Sequence, residues 1–390
     1  MKYEKTVVGS DSSKRPIRVL TVFGTRPEAI KMAPVVRALS ETVSITSIVC
    51  VTGQHRQMLD QVLEVFNIHP DFDLDVMQQS QTLQSITAEI LSRISNVIDE
   101  VKPDRVLVHG DTTTAFATTL ACFYKNVPVG HVEAGLRTGD INSPWPEEMN
   151  RRFVDMIADL HWAPTQLAKL NLCKESVGVD QIEVTGNTVI DALLHVQSML
   201  ETDEALREEM NQKFTILDSS KRLILVTGHR RESFSSGLNE ICLALAAIAG
   251  RKDVEIVWPV HLNPIVQAVV LGALEGYNNI HLLPPQDYVS FCELMRRSAL
   301  IITDSGGIQE EAPTLNKPLL IARDVTERPE VVDVGAALLV GTAHLQIIES
   351  VVHLLDNDDA YQLMANAPNP FGDGKASFRI VDSIIKAGVV

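Results

Sequence analysis

From Ile17 onward, short apolar runs alternate with longer stretches in which apolar residues recur every three or four positions. The short runs, rich in Val, Ile and Leu, predict buried strands, and the periodic stretches predict amphipathic helices. Strands are predicted over 18–23, 45–51, 105–109 and 127–131, and again over 223–227, 255–260, 280–283, 300–303, 318–321 and 337–340. After the first of them, Thr25-Arg26-Pro27-Glu28 reads as a capping box, with Thr25 as N-cap and Glu28 at the third helical position of a helix reaching about Leu39. Continuously apolar strands that alternate with helices indicate parallel sheets covered on both faces, an α/β fold. A polar helical stretch over 200–221 separates the two series, which places two doubly wound domains on the chain with a join near Gly186 and Asn187. Residues 1–16 are polar and are expected to form an extension without a fixed fold.

The length of 390 residues suffices for two domains with sizeable cores. A net charge of −16 argues against a nucleic-acid surface and against an anionic membrane, so an anionic substrate needs a local basic cluster. The five cysteines (Cys50, Cys122, Cys173, Cys242, Cys292) show no CxxC or zinc spacing and read as free thiols in a reducing compartment. No signal peptide and no run long enough to span a bilayer is present, so the protein is expected in the cytoplasm.

Open parallel sheets bind ligands beyond the carboxyl ends of their strands, so the polar residues there are the candidates. Arg26 and Lys31 follow the first strand and are either a solvated pair or cations at a mouth. Asp111 precedes three threonines and is either a helix N-cap or a reacting carboxylate. His131 and Glu133 follow another strand, with Glu147 shortly after, but no HExxH and no third ligand at a convincing spacing supports a metal. In the second half, His229, Arg230 and Arg231 follow a strand, and His261 and Arg328 stand at later strand or loop ends. Arginine forks at such an end suit a diphosphate. The stretch LIITDSGGIQEEAP (300–313) reads as a strand, a turn and a helix opening on Ser305, Gly306 and Gly307, with Glu310 and Glu311 one turn later. It is either an ordinary Gly-rich βα turn or an anion cradle at a helix N-terminus. Neither GxGxxG nor GxxxxGK[ST] occurs, which argues against an epimerase that works through a bound nicotinamide and against a P-loop kinase.

These residues carry a resemblance. The segments VFGTRPEAIKMAP (22–34), TGQHRQMLDQVL (52–63), VLVHGDTTT (106–114), VGHVEAGLRTGD (129–140), SPWPEE (143–148) and TGNTVIDAL (185–193) are similar to those of the bacterial non-hydrolysing UDP-N-acetylglucosamine 2-epimerases. So, in the same order, are TGHRRESF (227–234), PVHLNP (259–264), TDSGGIQEEAP (303–313), RDVTERPE (323–330) and GDGKAS (372–377). The resemblance implies a glycosyltransferase-B type fold: two Rossmann-like domains over 17–187 and 188–374, with the active site in the cleft and a C-terminal helix within 375–390 returning to the first domain. It also implies interconversion of UDP-N-acetylglucosamine and UDP-N-acetylmannosamine for surface polysaccharides, no metal or nicotinamide cofactor, and a homodimer.

The hydrogen on carbon-2 of the sugar is not alpha to a carbonyl, so direct abstraction at neutral pH is hopeless. Departure of UDP makes carbon-1 oxocarbenium-like and that hydrogen acidic; its loss gives 2-acetamidoglucal, and re-addition with protonation from the other face inverts carbon-2. Two acid/base groups and a cationic cradle are then needed. By resemblance Asp111, Glu133 and Glu147 serve the proton transfers and the oxocarbenium field, without a decision on which faces which side. His229 serves the leaving group; Arg26, Arg230, Ser305, Gly306 and Gly307 the phosphates; Glu311 the ribose; Lys31 the sugar side. Gln286 and Phe291 flank the uracil, and Arg328 closes over the ligand. A hydrolysing 2-epimerase, a UDP-sugar glycosyltransferase and a silent nucleotide-sugar sensor are the rival readings. Several bacterial relatives are also activated by a second UDP-N-acetylglucosamine. Gln54, Gln57, Arg230 and His261 match that site, but Ser80 stands where those relatives carry an arginine, which predicts a weakened or absent activator site.

Overall fold

The computed structural model describes residues 15–53, 56–77, 81–228 and 237–388, apart from the side chains of 56–58. The chain divides into two compact units: the described residues up to Ala192 together with those from Gly374, and Leu193–Asp373. The first unit carries β1 (Ile17–Phe23), α1 (Arg26–Ser40), β2 (Ile45–Val51), α2 (Arg56–Val65), β3 (Phe72–Asp73), α3 (Leu83–Val101), β4 (Arg105–His109) and α4 (Thr113–Lys125). It continues with β5 (Val129–Val132), α5 (Glu147–Ile157), β6 (Leu160–Ala163), α6 (Gln166–Lys174), β7 (Ile182–Val184) and α7 (Thr188–Thr202), inside which the unit boundary falls.

The strands of this unit form a parallel sheet in the order β3-β2-β1-β4-β5-β6-β7. Leu20, Val22, Val106 and Val108 pack against Ile90 and Ile94 of α3 and Ala115 and Ala117 of α4, all fully buried. This is why those strands read as continuous apolar runs. The chain winds outward from β1 to β3 and then returns to β4, so the strand order reverses between β1 and β4. The loops leaving those two strands diverge there and open the crevice in which such sheets bind ligands.

In the second unit the elements are α8 (Glu204–Lys213), β8 (Arg222–Thr227), α9 (Gly237–Ile248), β9 (Val254–Pro259), α10 (Pro264–Leu274), β10 (Ile280–Leu283), α11 (Tyr288–Arg297) and β11 (Leu300–Thr303). Then come α12 (Gly306–Glu311), β12 (Leu319–Ile321), α13 (Pro329–Asp333), β13 (Ala337–Leu339), α14 (His344–Asp356) and α15 (Asp358–Ala365). Its parallel sheet runs β10-β9-β8-β11-β12-β13, with the reversal between β8 and β11. Ile224, Trp258 and Ile302 form its core with Leu245 of α9 and Val351 of α14. The last helix, α16 (Ala376–Ala387), belongs to the first unit. Its N-terminus has no cap of its own and is held by Asp191 of α7, which accepts from the Ala376 and Ser377 amides at 3.2 and 2.9 Å.

The α/β class and the doubly wound sheets expected from the pattern are present. The pattern missed β3, β6 and β7, because a two-residue strand, Leu-His-Trp-Ala and Ile-Glu-Val offer no sustained apolar run. β5 opens at Val129 rather than at 127, after Pro128, which has no N–H to donate to a ladder. Of the expected N-terminal extension, residues 1–14 lie outside the described residues, whereas Arg15 is fixed by two 2.7 Å hydrogen bonds to Asp104. Among the described residues no helix is long and apolar enough to cross a membrane.

Candidate active site

At the first reversal point three strand ends are clamped together. Thr52 and Thr114 share a hydroxyl hydrogen bond of 2.9 Å directly above Gly24. A Cβ at Gly24 would lie 1.9 Å from one of those oxygens and 2.6 Å from the other, so only glycine fits. The capping box read from sequence is present: Glu28 accepts from the Thr25 amide at 2.8 Å, and Thr25 in turn receives the Glu28 amide. Glu28 does more than cap. It is fully buried, also accepts from the Gly24 amide, and takes the Thr112 hydroxyl at 2.7 Å, so it ties the β1 loop to the β4 loop. Burial pushes its carboxyl above the usual range, against those hydrogen bonds.

Asp111 is not the cap of α4. Thr112 takes that place and accepts from the Ala115 amide at 3.1 Å. The cap reading of Asp111 is therefore corrected, and its carboxylate is free to turn from the helix to an ion pair with Arg151 of α5. Asn150 holds the Asp111 backbone carbonyl at 2.9 Å.

Glu133 follows β5 with a left-handed backbone, φ +66°, a conformation that a non-glycine residue adopts at a cost. Its carboxylate receives the Lys31 ammonium and the Asn187 amide, the latter at 2.8 Å. His109 Nε2 stands 3.9 Å away. Burial, reinforced by Lys31 and His131 and opposed by Glu133, lowers the His109 pKa to about 4, so its ring is neutral at pH 7. Gly110 has φ +62°, which favours glycine there, while a Cβ would stand in ordinary contact, 3.6 Å from Glu133 Oε1. The β4 and β5 loops thus bring Asp111 and Glu133 to neighbouring strand ends, each with its own cation.

Glu147 is the first residue of α5, and its Oε2 is buried without a hydrogen bond among the described residues. The adjacent Glu148 is buried and structural. It accepts from the Thr138 amide and pairs with Arg151 and Arg152, so it anchors the segment that carries Glu147.

In the second unit the ends of β8 and β11 are joined by a 2.6 Å hydrogen bond between Thr227 and Thr303. The Ser305 amide donates to Thr303, and Ser305 opens the six-residue α12 without capping it through its side chain. A Cβ at Gly307 would meet nothing within 4 Å, so the protein itself places no demand for glycine there. Glu311 accepts from the Tyr288 hydroxyl at 2.9 Å, and Glu310 is bound to Arg328 at 2.6 Å. Burial and the neighbouring Glu311 carboxylate push the Tyr288 hydroxyl well above its ordinary pKa, so it stays a donor. Gln286 donates to the Pro284 carbonyl at 2.6 Å, Phe291 is half-buried on α11, and His261 is exposed.

Of the residues singled out in sequence, Gln54, Ser80, His229, Arg230 and Arg231 lie outside the described residues, as does the side chain of Gln57. Arg26 opens α1 and Lys31 lies in its second turn, in the same unit as Asp111, Glu133 and Glu147. Gln286, Phe291, Ser305, Gly306, Gly307, Glu311 and Arg328 belong to the second unit. Sequence reasoning missed Arg151, Asn187, His109 and Tyr288 as participants. Asn187 carried a signal, since it follows a strand end, but that strand was itself not recognised.

Comparison with known proteins agrees with this architecture. The profile of the UDP-N-acetylglucosamine 2-epimerase family matches residues 37–385. The UDP-N-acetylglucosamine 2-epimerase of Escherichia coli (strain K12) is 54% identical over 369 residues, covering 94% of this chain and 98% of that protein. The crystal structure of UDP-GlcNAc 2-epimerase from Neisseria meningitidis bound to UDP-GlcNAc superposes with a TM-score of 0.89 at 49% identity, covering 95% of this chain and all of that one (100%). The Methanocaldococcus jannaschii enzyme in complex with UDP-GlcNAc and UDP gives a TM-score of 0.79 at 34% identity, with 95% and 100% coverage. The chain belongs to the UDP-N-acetylglucosamine 2-epimerase family.

Proposed function

We propose that the protein is the non-hydrolysing enzyme of this family, which interconverts UDP-N-acetylglucosamine and UDP-N-acetylmannosamine by eliminating and re-adding UDP. In the forward step the carbon-1 to oxygen bond breaks and its electron pair leaves with UDP. A carboxylate takes the carbon-2 proton, and 2-acetamidoglucal forms. In the return step a second acid delivers a proton to the opposite face of carbon-2 while the UDP oxygen attacks carbon-1. The sum is an isomerisation with no external reductant or water consumed.

The observation that carries this reading is the pair of carboxylates at adjacent strand ends, Asp111 held by Arg151 and Glu133 held by Lys31 and Asn187. A transferase that retains one base would leave the second of these unexplained. Glu147, half-buried at the start of α5 with one carboxylate oxygen fully covered, supplies further negative charge for the oxocarbenium-like carbon. His229 and Arg230 stabilise the departing diphosphate, with Arg26 and the Ser305, Gly306 and Gly307 backbone as the rest of its cradle. Glu311, oriented by Tyr288, takes the ribose hydroxyls, Gln286 and Phe291 flank the uracil, and Arg328 covers the ligand. The cytoplasm, a homodimer and a surface-polysaccharide pathway complete the proposal.

The test is turnover of UDP-N-acetylglucosamine in D2O followed by proton and phosphorus NMR. Deuterium at carbon-2 of both UDP-sugars is expected. Retention of the original hydrogen refutes the elimination, and free N-acetylmannosamine with stoichiometric UDP marks a hydrolysing enzyme instead.

A further inference from the structure

Behind the two carboxylate loops lies a buried polar group that the reaction scheme above does not use. His131 of β5 and Asp155 of α5 are both buried, with His131 Nδ1 2.6 Å from Asp155 Oδ1. The other ring nitrogen, Nε2, is 2.8 Å from the Gly110 carbonyl oxygen, one residue before Asp111. The second Asp155 oxygen accepts from the Gly135 amide at 3.3 Å and from Arg137 at 2.8 Å. One carboxylate therefore reaches the Asp111 loop through His131 and the turn after Glu133 directly.

Both partners of the imidazole are acceptors. A neutral ring has a single N–H, so one nitrogen would present a lone pair to an oxygen at hydrogen-bond distance. Burial works against ionisation of Asp155, but its second oxygen is held by the Arg137 guanidinium and the Gly135 amide, which keep it a carboxylate whatever the state of His131, so it does not supply the missing proton. The other groups facing the pair do not compete. His161 of β6 gives Nε2 to the Asp155 backbone carbonyl, His109 of β4 is held neutral, and Glu133 is engaged by Lys31 and Asn187.

We propose that Asp155 and His131 form a positioning pair, a buried carboxylate and imidazolium that fix the Gly110–Asp111 and Glu133–Gly135 backbones and so hold the two reacting carboxylates at their places. The pair needs both protons on His131: one N–H clamps Asp155 and the other clamps the Gly110 carbonyl. This rests on the proposed acid/base roles of Asp111 and Glu133.

The experiment uses the full chain labelled with 15N-histidine. The His131 signals, identified by their loss in His131→Asn, are expected to show two protonated ring nitrogens at pH 7. A singly protonated ring at pH 7 overturns the pair, and this readout needs no turnover. In folded Asp155→Asn, kcat is expected to fall ~10–100-fold with KM within ~3-fold, the penalty of misplaced reacting groups. His131→Gln, which keeps an N–H donor within reach of Gly110, is expected to retain more kcat than His131→Ala. Wild-type kcat in folded Asp155→Asn overturns the positioning role. Intact turnover in Asp111→Asn and Glu133→Gln would instead overturn the proposed function, so the two failures are read separately.

Discussion

Lys31→Met tests whether the lysine works on the sugar or on Glu133. Its ammonium pairs with a carboxylate whose side chain is 9% exposed, while Lys31 itself is 13% exposed. Removing one partner of a buried pair costs about 3–5 kcal/mol, and the residual exposure and the surviving Asn187 bond reduce this to ~2–4 kcal/mol. Glu133 escapes that cost by taking up a proton. At 1.36 kcal/mol per pH unit, the acid limb of the kcat/KM profile should therefore move up by about two units. Steady-state kinetics from pH 5 to pH 9, with coupled detection of UDP-N-acetylmannosamine, measures this directly. A uniform loss of rate with the acid limb unmoved would refute the reasoning, because Lys31 would then be acting on the substrate and not through Glu133.

Asp111→Asn and Glu133→Gln are each expected to lower kcat by ~10²–10⁴, the range for a lost general acid or base, with UDP affinity nearly unchanged by calorimetry. Near-normal turnover in Asp111→Asn would remove it from the chemistry. His109 is held at about 4 in the fold, chiefly by burial, against an ordinary 6.5. The unfolded chain thus binds more protons than the fold between those values, and stability falls as pH drops from 6.5 through 4, by about 3 kcal/mol in all. Urea midpoints of the first unfolding transition at pH 7.5 and 4.5 should show this slope, and His109→Gln should flatten it; an equal slope in the variant would contradict the assignment. Ser80 in place of an arginine is expected to weaken activation by ~10–100-fold, the worth of a charge-assisted bond to phosphate. Reverse kinetics from UDP-N-acetylmannosamine would show otherwise through a long lag abolished by micromolar UDP-N-acetylglucosamine.

The sequence by itself determined the two doubly wound sheets, because strands buried on both faces must be apolar throughout and the helices between them must be amphipathic. It also determined the capping box at Thr25 and Glu28, whose partners are three residues apart, and the family, whose segments recur in order along the chain. The position of the proposed chemistry followed from the same pattern, since Asp111 and Glu133 stand just past strand ends.

Which neighbours those carboxylates meet was decided only by tertiary structure. Asp111 looked like a cap because Asp before a helix usually is one, yet the Thr112 hydroxyl occupies that place and leaves Asp111 to Arg151, 40 residues away. Glu133 takes its cation from 102 residues upstream and its amide from 54 residues downstream. Glu28, legible as a cap, is also the bridge to Thr112 across 84 residues. A helical or strand period reaches only a few residues, so contacts made by strand order and crossover geometry leave no trace in it. They exist because parallel winding brings β1, β4 and β5 side by side and points their loops to one end of the sheet.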